Sequence, residues 1–133
     1  MSKLIDTNIA IFLADGVAEV VDRVATFDDL PSISMITLVE LEGGVFAPVD
    51  ETVRRRERLN LLLTALKVLP FERDIVAAYA DIVSVLGFSR RRVLDRLIAA
   101  TALVNDMTLV TANGPDFQHI PGLELEIWPR PAQ

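Results

Sequence analysis

Apolar residues follow two alternating patterns along this chain. Short β-rich runs are separated by longer stretches in which apolar residues recur every three or four positions, the spacing of an amphipathic helix. The runs with strand character are Lys3 to Ile5, Ser32 to Ile36, Val68 to Leu69, Thr108 to Thr111 and Glu124 to Ile127. The alternation predicts repeated strand-helix units.

Each helical stretch carries an apolar stripe. The stripes are Val17, Val20, Val21 and Val24; Leu59, Leu62, Leu63 and Leu66; Ile75, Tyr79, Ile82, Val83 and Leu86; and Leu94, Leu97, Ile98 and Thr101. Gly87 is placed to end the helix that contains Tyr79. Strands separated by helices predict a three-layer α/β domain, with helices flanking a central, mostly parallel β-sheet.

Composition narrows the class of protein. A chain of 133 residues with 51% hydrophobic residues predicts a single domain, residues 1–133, around one core. The absence of cysteine excludes disulfides, thiolate-ligated zinc and a cysteine nucleophile, and favours the cytoplasm. Asp6 interrupts the N-terminus before an apolar signal region can form, and no apolar run is long enough for a bilayer. We therefore expect neither export by that route nor a membrane location.

The charge distribution leaves two interpretations open. A net charge of -6 argues against a generally basic, nucleic-acid-binding surface. Arginines nevertheless cluster in two runs, Arg54, Arg55, Arg56 and Arg58, and Arg90, Arg91, Arg92 and Arg96. Each run is either a solvated helix face or a surface for phosphates or an acidic partner.

Acidic residues lie near the predicted ends or beginnings of elements. In parallel α/β sheets such positions converge beyond the carboxyl ends of the strands, and crowded carboxylates call for a cation. Each acid also has a purely structural interpretation. Asp6 can cap a helix, and Thr37 with Glu40 matches a capping box. Asp95 can complement a helix dipole, and Asp116 can be a turn residue.

The segments around these acids resemble a known family. They read Leu4-Ile5-Asp6-Thr7-Asn8, Ile36-Thr37-Leu38-Val39-Glu40, Asp95-Arg96-Leu97-Ile98-Ala99-Ala100 and Thr111-Ala112-Asn113-Gly114-Pro115-Asp116-Phe117. Their order and separations resemble PIN domains, and among them the VapC-like ribonuclease toxins of prokaryotic toxin-antitoxin systems. The resemblance covers nearly the whole chain and implies a PIN-like fold.

The resemblance also implies roles for individual residues. Asp6, Glu40, Asp95 and Asp116 would be catalytic, and all but Glu40 would hold the metal. The residues implied as polar support are Thr7, Asn8, Thr111 and Asn113. Apart from the resemblance, the second arginine run supplies possible RNA-binding residues, Arg90, Arg91, Arg92 and Arg96. Glu42 competes with Glu40, but residues two apart on a helix point about 200° apart. The family pattern selects Glu40.

The implied chemistry is metal-dependent cleavage of RNA. Oxygen ligands favour Mg²⁺ or Mn²⁺, as one ion or two. The only histidine, His119, excludes a two-histidine ribonuclease mechanism within one chain and suits a surface or packing role. The resemblance further implies a homodimeric toxin that a cognate VapB-like antitoxin neutralises in a hetero-oligomer.

Two other functions remain open at this point. One is a catalytically silent PIN-like binding module, whose acids only cap elements. The other is an aspartyl-phosphate phosphatase with Asp6 as nucleophile, although Asn8 stands where such an enzyme has a second aspartate. A silent module should show no stabilisation by Mg²⁺ or Mn²⁺.

Overall fold

The computed structural model describes residues 2–47 and 49–132. The predicted domain limits, residues 1 and 133, lie outside the described residues. The strands are β1 (Lys3–Ile5), β2 (Ser32–Ser34), β3 (Lys67–Leu69), β4 (Thr108–Thr111) and β5 (Leu125–Ile127). The helices are α1 (Thr7–Ala14), α2 (Ala18–Val24), α3 (Met35–Val45), α4 (Thr52–Leu63), α5 (Arg73–Leu86) and α6 (Val93–Val104). Short 3-10 turns occupy Val49–Glu51, Arg90–Arg92 and Gly114–Asp116.

The strands form one sheet in the order β3-β2-β1-β4-β5. Every described strand pair is parallel, with Leu4 opposite Leu109 where β1 meets β4. Strand β1 therefore lies in the centre, and its Leu4 and Ile5 are completely buried. The α/β fold class is confirmed.

Two hydrophobic clusters cover the two faces of the sheet. Successive strand residues point to opposite faces, so Ile5 and Val110 belong to one cluster whereas Leu4 and Leu109 belong to the other. The first cluster includes buried residues of α1 to α4, and the second includes buried residues of α5 and α6. The sheet is therefore the middle of three layers.

The beginning of α3 differs from the sequence prediction. The strand predicted to reach Ile36 ends at Ser34, and the helix begins at Met35. The Ser34 hydroxyl caps this helix, because its Oγ accepts a hydrogen bond of 3.0 Å from the Thr37 backbone N–H. The capping-box interpretation of Thr37 and Glu40 is therefore wrong. Thr37 is a buried residue inside the helix, and Glu40 lies almost a turn further along it.

Other boundaries agree more closely. Strands β1 and β4 have their predicted limits, and Gly87 follows α5 with φ 83. Leu66 is buried but lies beyond the end of α4, and Leu94 of α6 is 47% exposed although it was predicted on an apolar face. Within the described part of the chain, no helix has the length and apolar character needed to cross a membrane.

Candidate metal centre

The four acids predicted for the site line one pocket at the carboxyl edge of the sheet. Asp6 follows β1, Asp116 follows β4, Asp95 lies in the first turn of α6, and Glu40 lies in α3. The pocket has a volume of about 240 Å³, and its lining also includes Thr7, Asn8 and Asn113. Residues from distant parts of the chain thus meet where parallel strands end.

Asp6 is both a helix cap and a wall of this pocket. Its Oδ1 accepts a hydrogen bond of 2.9 Å from the Ile9 backbone N–H, and its Oδ2 accepts one from the Thr111 hydroxyl. Burial raises the pKa of Asp6, although the hydrogen bonds from Thr111 and Ile9 oppose that change. Repulsion from Asp116 and Glu40 raises the same pKa further.

Burial and the other carboxylates of the pocket both raise the pKa of Asp95. Burial is the largest cause that raises its pKa, to about 6, and repulsion from Asp116, Glu40 and Asp6 adds to that increase. Arg92 acts in the opposite direction. The four carboxylates are therefore close enough for each negative charge to disfavour another.

A chain of hydroxyl groups positions Glu40. The Thr7 hydroxyl donates a hydrogen bond of 2.7 Å to Glu40 Oε1. Thr7 Oγ1 lies 3.0 Å from Thr37 Oγ1, and Ser34 Oγ donates to Thr37 Oγ1 at 3.3 Å. Ser34 and Thr37 were not among the predicted site residues. Both are polar within the mostly apolar run of 33–38, and Thr37 also lies in the segment that carries the family resemblance.

Glu42 occupies a different environment from Glu40. Two guanidinium N–H groups of Arg56 donate to its carboxylate, and these bonds lower the pKa of Glu42. It is not among the residues that line the acidic pocket. The position of Glu40 therefore agrees with its selection over Glu42.

Both carboxylate oxygens of Asp116 have partners from the protein. Its Oδ1 accepts a hydrogen bond of 3.2 Å from an Arg92 guanidinium N–H, and its Oδ2 accepts one from the Asn113 side-chain amide. Thr111 Oγ1 in turn accepts a 2.9 Å hydrogen bond from the Asn113 backbone N–H. The loop after β4 is thus tied to the end of that strand.

The donors in this pocket fit a hard cation. Carboxylate oxygens are the ligands that Mg²⁺ and Mn²⁺ prefer, and their mutual repulsion would be relieved by positive charge. Within residues 2–47 and 49–132, however, no three acidic or histidine side chains are already grouped to hold an ion. The residues have the right chemistry, but their present arrangement is not a finished coordination shell.

The predicted RNA-binding arginines do not form one surface. Arg90 and Arg91 are exposed, and Arg92 contacts Asp116. Arg96 is only 7% exposed and donates a 2.7 Å hydrogen bond to the Gly87 carbonyl oxygen. The prediction for Arg96 is therefore corrected: the side chain connects α6 to the end of α5 and is not available to RNA.

Two remaining predictions concern His119 and the first arginine run, which consists of Arg54, Arg55, Arg56 and Arg58. In this run, three members form ion pairs with acids on the protein surface: Arg55 with Glu51, Arg56 with Glu42, and Arg58 with Asp15. These pairs favour the solvated-face interpretation of that run. His119 is exposed and is not among the residues lining the acidic pocket.

Comparison with known proteins places the chain in a family. A family model described as PIN domain matches residues 3–123. A protein named Ribonuclease VapC1 from Rickettsia felis is 36% identical over 132 residues, which cover 94% of this chain and 95% of that protein.

Solved structures show the same fold. VapBC2 from Rickettsia felis, bound to a promoter DNA fragment, contains a chain that matches with a TM-score of 0.86 and 26% identity, covering 96% of this chain and 99% of that one. DNA-bound VapBC from Salmonella typhimurium gives a TM-score of 0.85 at 25% identity, with coverage of 96% and 98%. The present chain belongs to the PIN-domain family.

Proposed function

We propose that this chain is a metal-dependent endoribonuclease toxin that hydrolyses RNA phosphodiester bonds and is neutralised by a cognate antitoxin. The observation that carries the proposal is the meeting of four carboxylates in one pocket, where their repulsion helps to raise the pKa of Asp95 to about 6. A perturbed pKa in a cleft is typical of functional groups. The relative named Ribonuclease VapC1 supports the reaction class.

The residues of the pocket would have different roles in the reaction. Asp6, Asp95 and Asp116 would supply oxygen ligands for Mg²⁺ or Mn²⁺, which when bound activates water and neutralises phosphate charge. Thr111 and the Ile9 N–H fix the Asp6 carboxylate. Thr7 orients Glu40, whose carboxylate would accept the proton of the attacking water.

The proposed antitoxin would bind beside the same pocket. A groove of about 110 Å³, lined by apolar and charged residues, lies between α1, α3 and α4 and shares Ile11 and Glu40 with the lining of the acidic pocket. A VapB-like partner would lay a helix along this groove and place a basic side chain among the carboxylates. The Rickettsia and Salmonella VapBC structures support a partner of this type. A homodimer of the toxin is part of the same proposal.

Isosteric variants test the catalytic assignment. Asp6→Asn, Glu40→Gln, Asp95→Asn and Asp116→Asn should each reduce the cleavage rate of a mixed RNA pool with Mn²⁺ by about 100-fold or more, because each removes a charge that contacts the ion or the attacking water. Glu42→Gln is the matched control, because its partner is Arg56 outside the pocket. Near-wild-type rates for both Asp6→Asn and Asp95→Asn would show that the assignment is wrong.

Metal titration tests the proposed metal dependence, and co-expression tests the proposed antitoxin. A catalytically silent binding module would show no thermal stabilisation by Mg²⁺ or Mn²⁺, whereas the proposed enzyme should be stabilised by mass action. We expect the antitoxin to be encoded in the neighbouring reading frame, and its co-expression should yield a co-purifying complex without toxicity. Sedimentation of the purified toxin measures whether it is a dimer.

A further inference from the structure

An arginine of this chain forms an ion pair with Asp116, one of the proposed metal ligands. Arg92 ends the 3-10 turn that precedes α6, and its guanidinium lies 3.2 Å from Asp116 Oδ1. Asn113 donates to the other oxygen of the same carboxylate. Asp116 therefore has its negative charge matched by a cation of the protein itself.

This contact differs from the other ion pairs of the described chain. Those four pairs join Lys3 to Glu126, Arg55 to Glu51, Arg56 to Glu42 and Arg58 to Asp15, and none of these acids is proposed as a metal ligand. Arg92 pairs with an acid that lines the pocket, and its charge also lowers the pKa of Asp95. The positive charge of Arg92 thus acts on two of the carboxylates proposed to bind the ion.

We propose that Arg92 is a positioning residue that holds Asp116 in the metal-free protein and thereby competes with the divalent ion for this carboxylate. The inference rests on the proposed function, because it assumes that the pocket binds Mg²⁺ or Mn²⁺. To serve as a ligand of such an ion, the Asp116 carboxylate would have to give up its contact with the Arg92 guanidinium.

The physical properties of the pair suit an exchangeable contact. The side chains of Arg92 and Asp116 are 29% and 31% exposed, so water reaches both groups. Ion pairs at such positions are weak and salt-sensitive. A divalent ion held by several carboxylates should therefore displace the arginine, but with a measurable loss of affinity. Removing Arg92 abolishes both the competition for Oδ1 and the repulsion between guanidinium and ion.

Calorimetric titration of metal-free protein with Mn²⁺, without RNA, measures this competition. Arg92→Gln should lower the Kd for Mn²⁺ by about twofold to tenfold. Arg91→Gln is the matched control, since it removes the same charge from the same turn at an exposed position. It should leave the Kd within about 1.5-fold of the wild-type value, because salt and water screen a more distant charge.

The Asp116→Asn variant tests whether the effect of Arg92 on the Kd for Mn²⁺ depends on Asp116. In Asp116→Asn the carboxylate that Arg92 occupies is absent, so adding Arg92→Gln should change the Kd much less than it does in the wild type. The inference is overturned if Arg92→Gln binds Mn²⁺ no more tightly than wild type, if Arg91→Gln gives an equal gain, or if the gain is just as large in Asp116→Asn. Wild-type protein that takes up no Mn²⁺ would overturn the proposed metal dependence as well. Normal uptake with an unchanged Arg92→Gln would overturn the inference alone.

Discussion

Asp95 carries an electrostatic cost in the metal-free protein. Its carboxylate is partly buried and faces three other acids, so the charged form is disfavoured and its pKa rises to about 6. At neutral pH the folded protein must ionise this group at a cost that the unfolded chain does not have. A cation bound in the pocket would offset this cost of ionising Asp95.

Replacing Asp95 should therefore stabilise the metal-free protein. We expect Asp95→Asn to raise the free energy of unfolding by about 1 kcal/mol at pH 7 in chelator, after allowing for solvent screening and for a lost first-turn helix charge of about 0.3–1 kcal/mol. Added Mg²⁺ should stabilise the wild type more than the variant. Thermal melts in chelator and in Mg²⁺ measure both effects, with Glu42→Gln as a charge-matched control. A variant that melts below wild type in chelator would contradict this expectation.

The raised pKa of Asp95 determines how the stability of the metal-free protein changes with pH. Because the folded pKa of Asp95 is about 6 and the ordinary pKa of an aspartate is 3.8, the folded state binds more protons than the unfolded state between these values. The contribution of Asp95 to stability is therefore lost as pH rises from about 4 to about 6. In chelator, the advantage of Asp95→Asn should grow through this window and then level off. An advantage independent of pH would exclude ionisation of Asp95 as its cause.

The sequence predicted the acids of the pocket better than their partners. Asp6 and Asp116 could be placed because each follows a recognisable strand. The pairing of Arg92 with Asp116 spans 24 positions and depends on how the loop after β4 packs near the turn before α6. Likewise, Arg96 belongs to a basic run in the sequence, but the packing of α6 against α5 buries it. Such contacts are set by tertiary geometry, which local spacing does not encode.

At the level of elements, the junction between β2 and α3 connects the sheet to the pocket. Ser34 ends the strand, caps the helix through Thr37 and begins the hydroxyl chain that reaches Glu40 through Thr7. Ser34 and Thr37 are completely buried. The position of Glu40 therefore depends on polar groups that water does not reach.

Removing the cap should weaken the whole fold. We expect Ser34→Ala to lower the free energy of unfolding by about 1–2 kcal/mol, because the buried Thr37 backbone N–H loses its acceptor. Ser84→Ala is the matched control, since Ser84 is exposed and its hydroxyl donates to the Asp81 carbonyl oxygen. That variant should stay within about 0.5 kcal/mol of wild type. Urea unfolding followed by circular dichroism measures both, and equal losses would argue against a special role for the cap.

The boundaries of elements were predictable where composition changes sharply. Thr108 to Thr111 is β-rich and follows a turn, so both of its limits were predicted correctly. Between Ser34 and Thr37 the β-branched Ile36 extends the appearance of a strand into what is helix. Thr37, three residues before Glu40, also imitates a capping box. The actual cap depends on where β2 stops pairing with β3, which is a property of the sheet.

At the scale of the molecule, charge is unevenly placed. The net charge of -6 repels RNA, whereas Arg90 and Arg91 are exposed on the turn immediately before the helix that carries Asp95. A local basic surface can guide a phosphate chain towards an acidic pocket within a generally acidic protein. Contacts of this kind release counterions and therefore depend on salt.

Arg91→Gln should weaken RNA binding and reduce its salt dependence. If Arg91 neutralises one phosphate, the slope of log K against log salt should fall by about 0.7. Lys67→Gln is the control, because Lys67 is an exposed residue at the beginning of β3, the end of the strand opposite to the edge that carries the pocket. Equilibrium binding of uncleaved RNA to an Asp6→Asn background at several salt concentrations measures both. Identical slopes would assign Arg91 to a solvated surface.

The hydrogen bond between Thr111 and Asp6 joins residues 105 positions apart, and this separation governs when during synthesis the pocket can exist. A ribosome releases β1, α1 and α3 early, but β4 follows only after α6 and brings Thr111, Asn113 and Asp116 with it. Until then β1 lacks its partner on one side, and the acids already made have no complete pocket. A nascent chain from which β4 has not yet emerged therefore carries no assembled pocket. Such a delay would protect the translating ribosome and its RNAs from the protein being made.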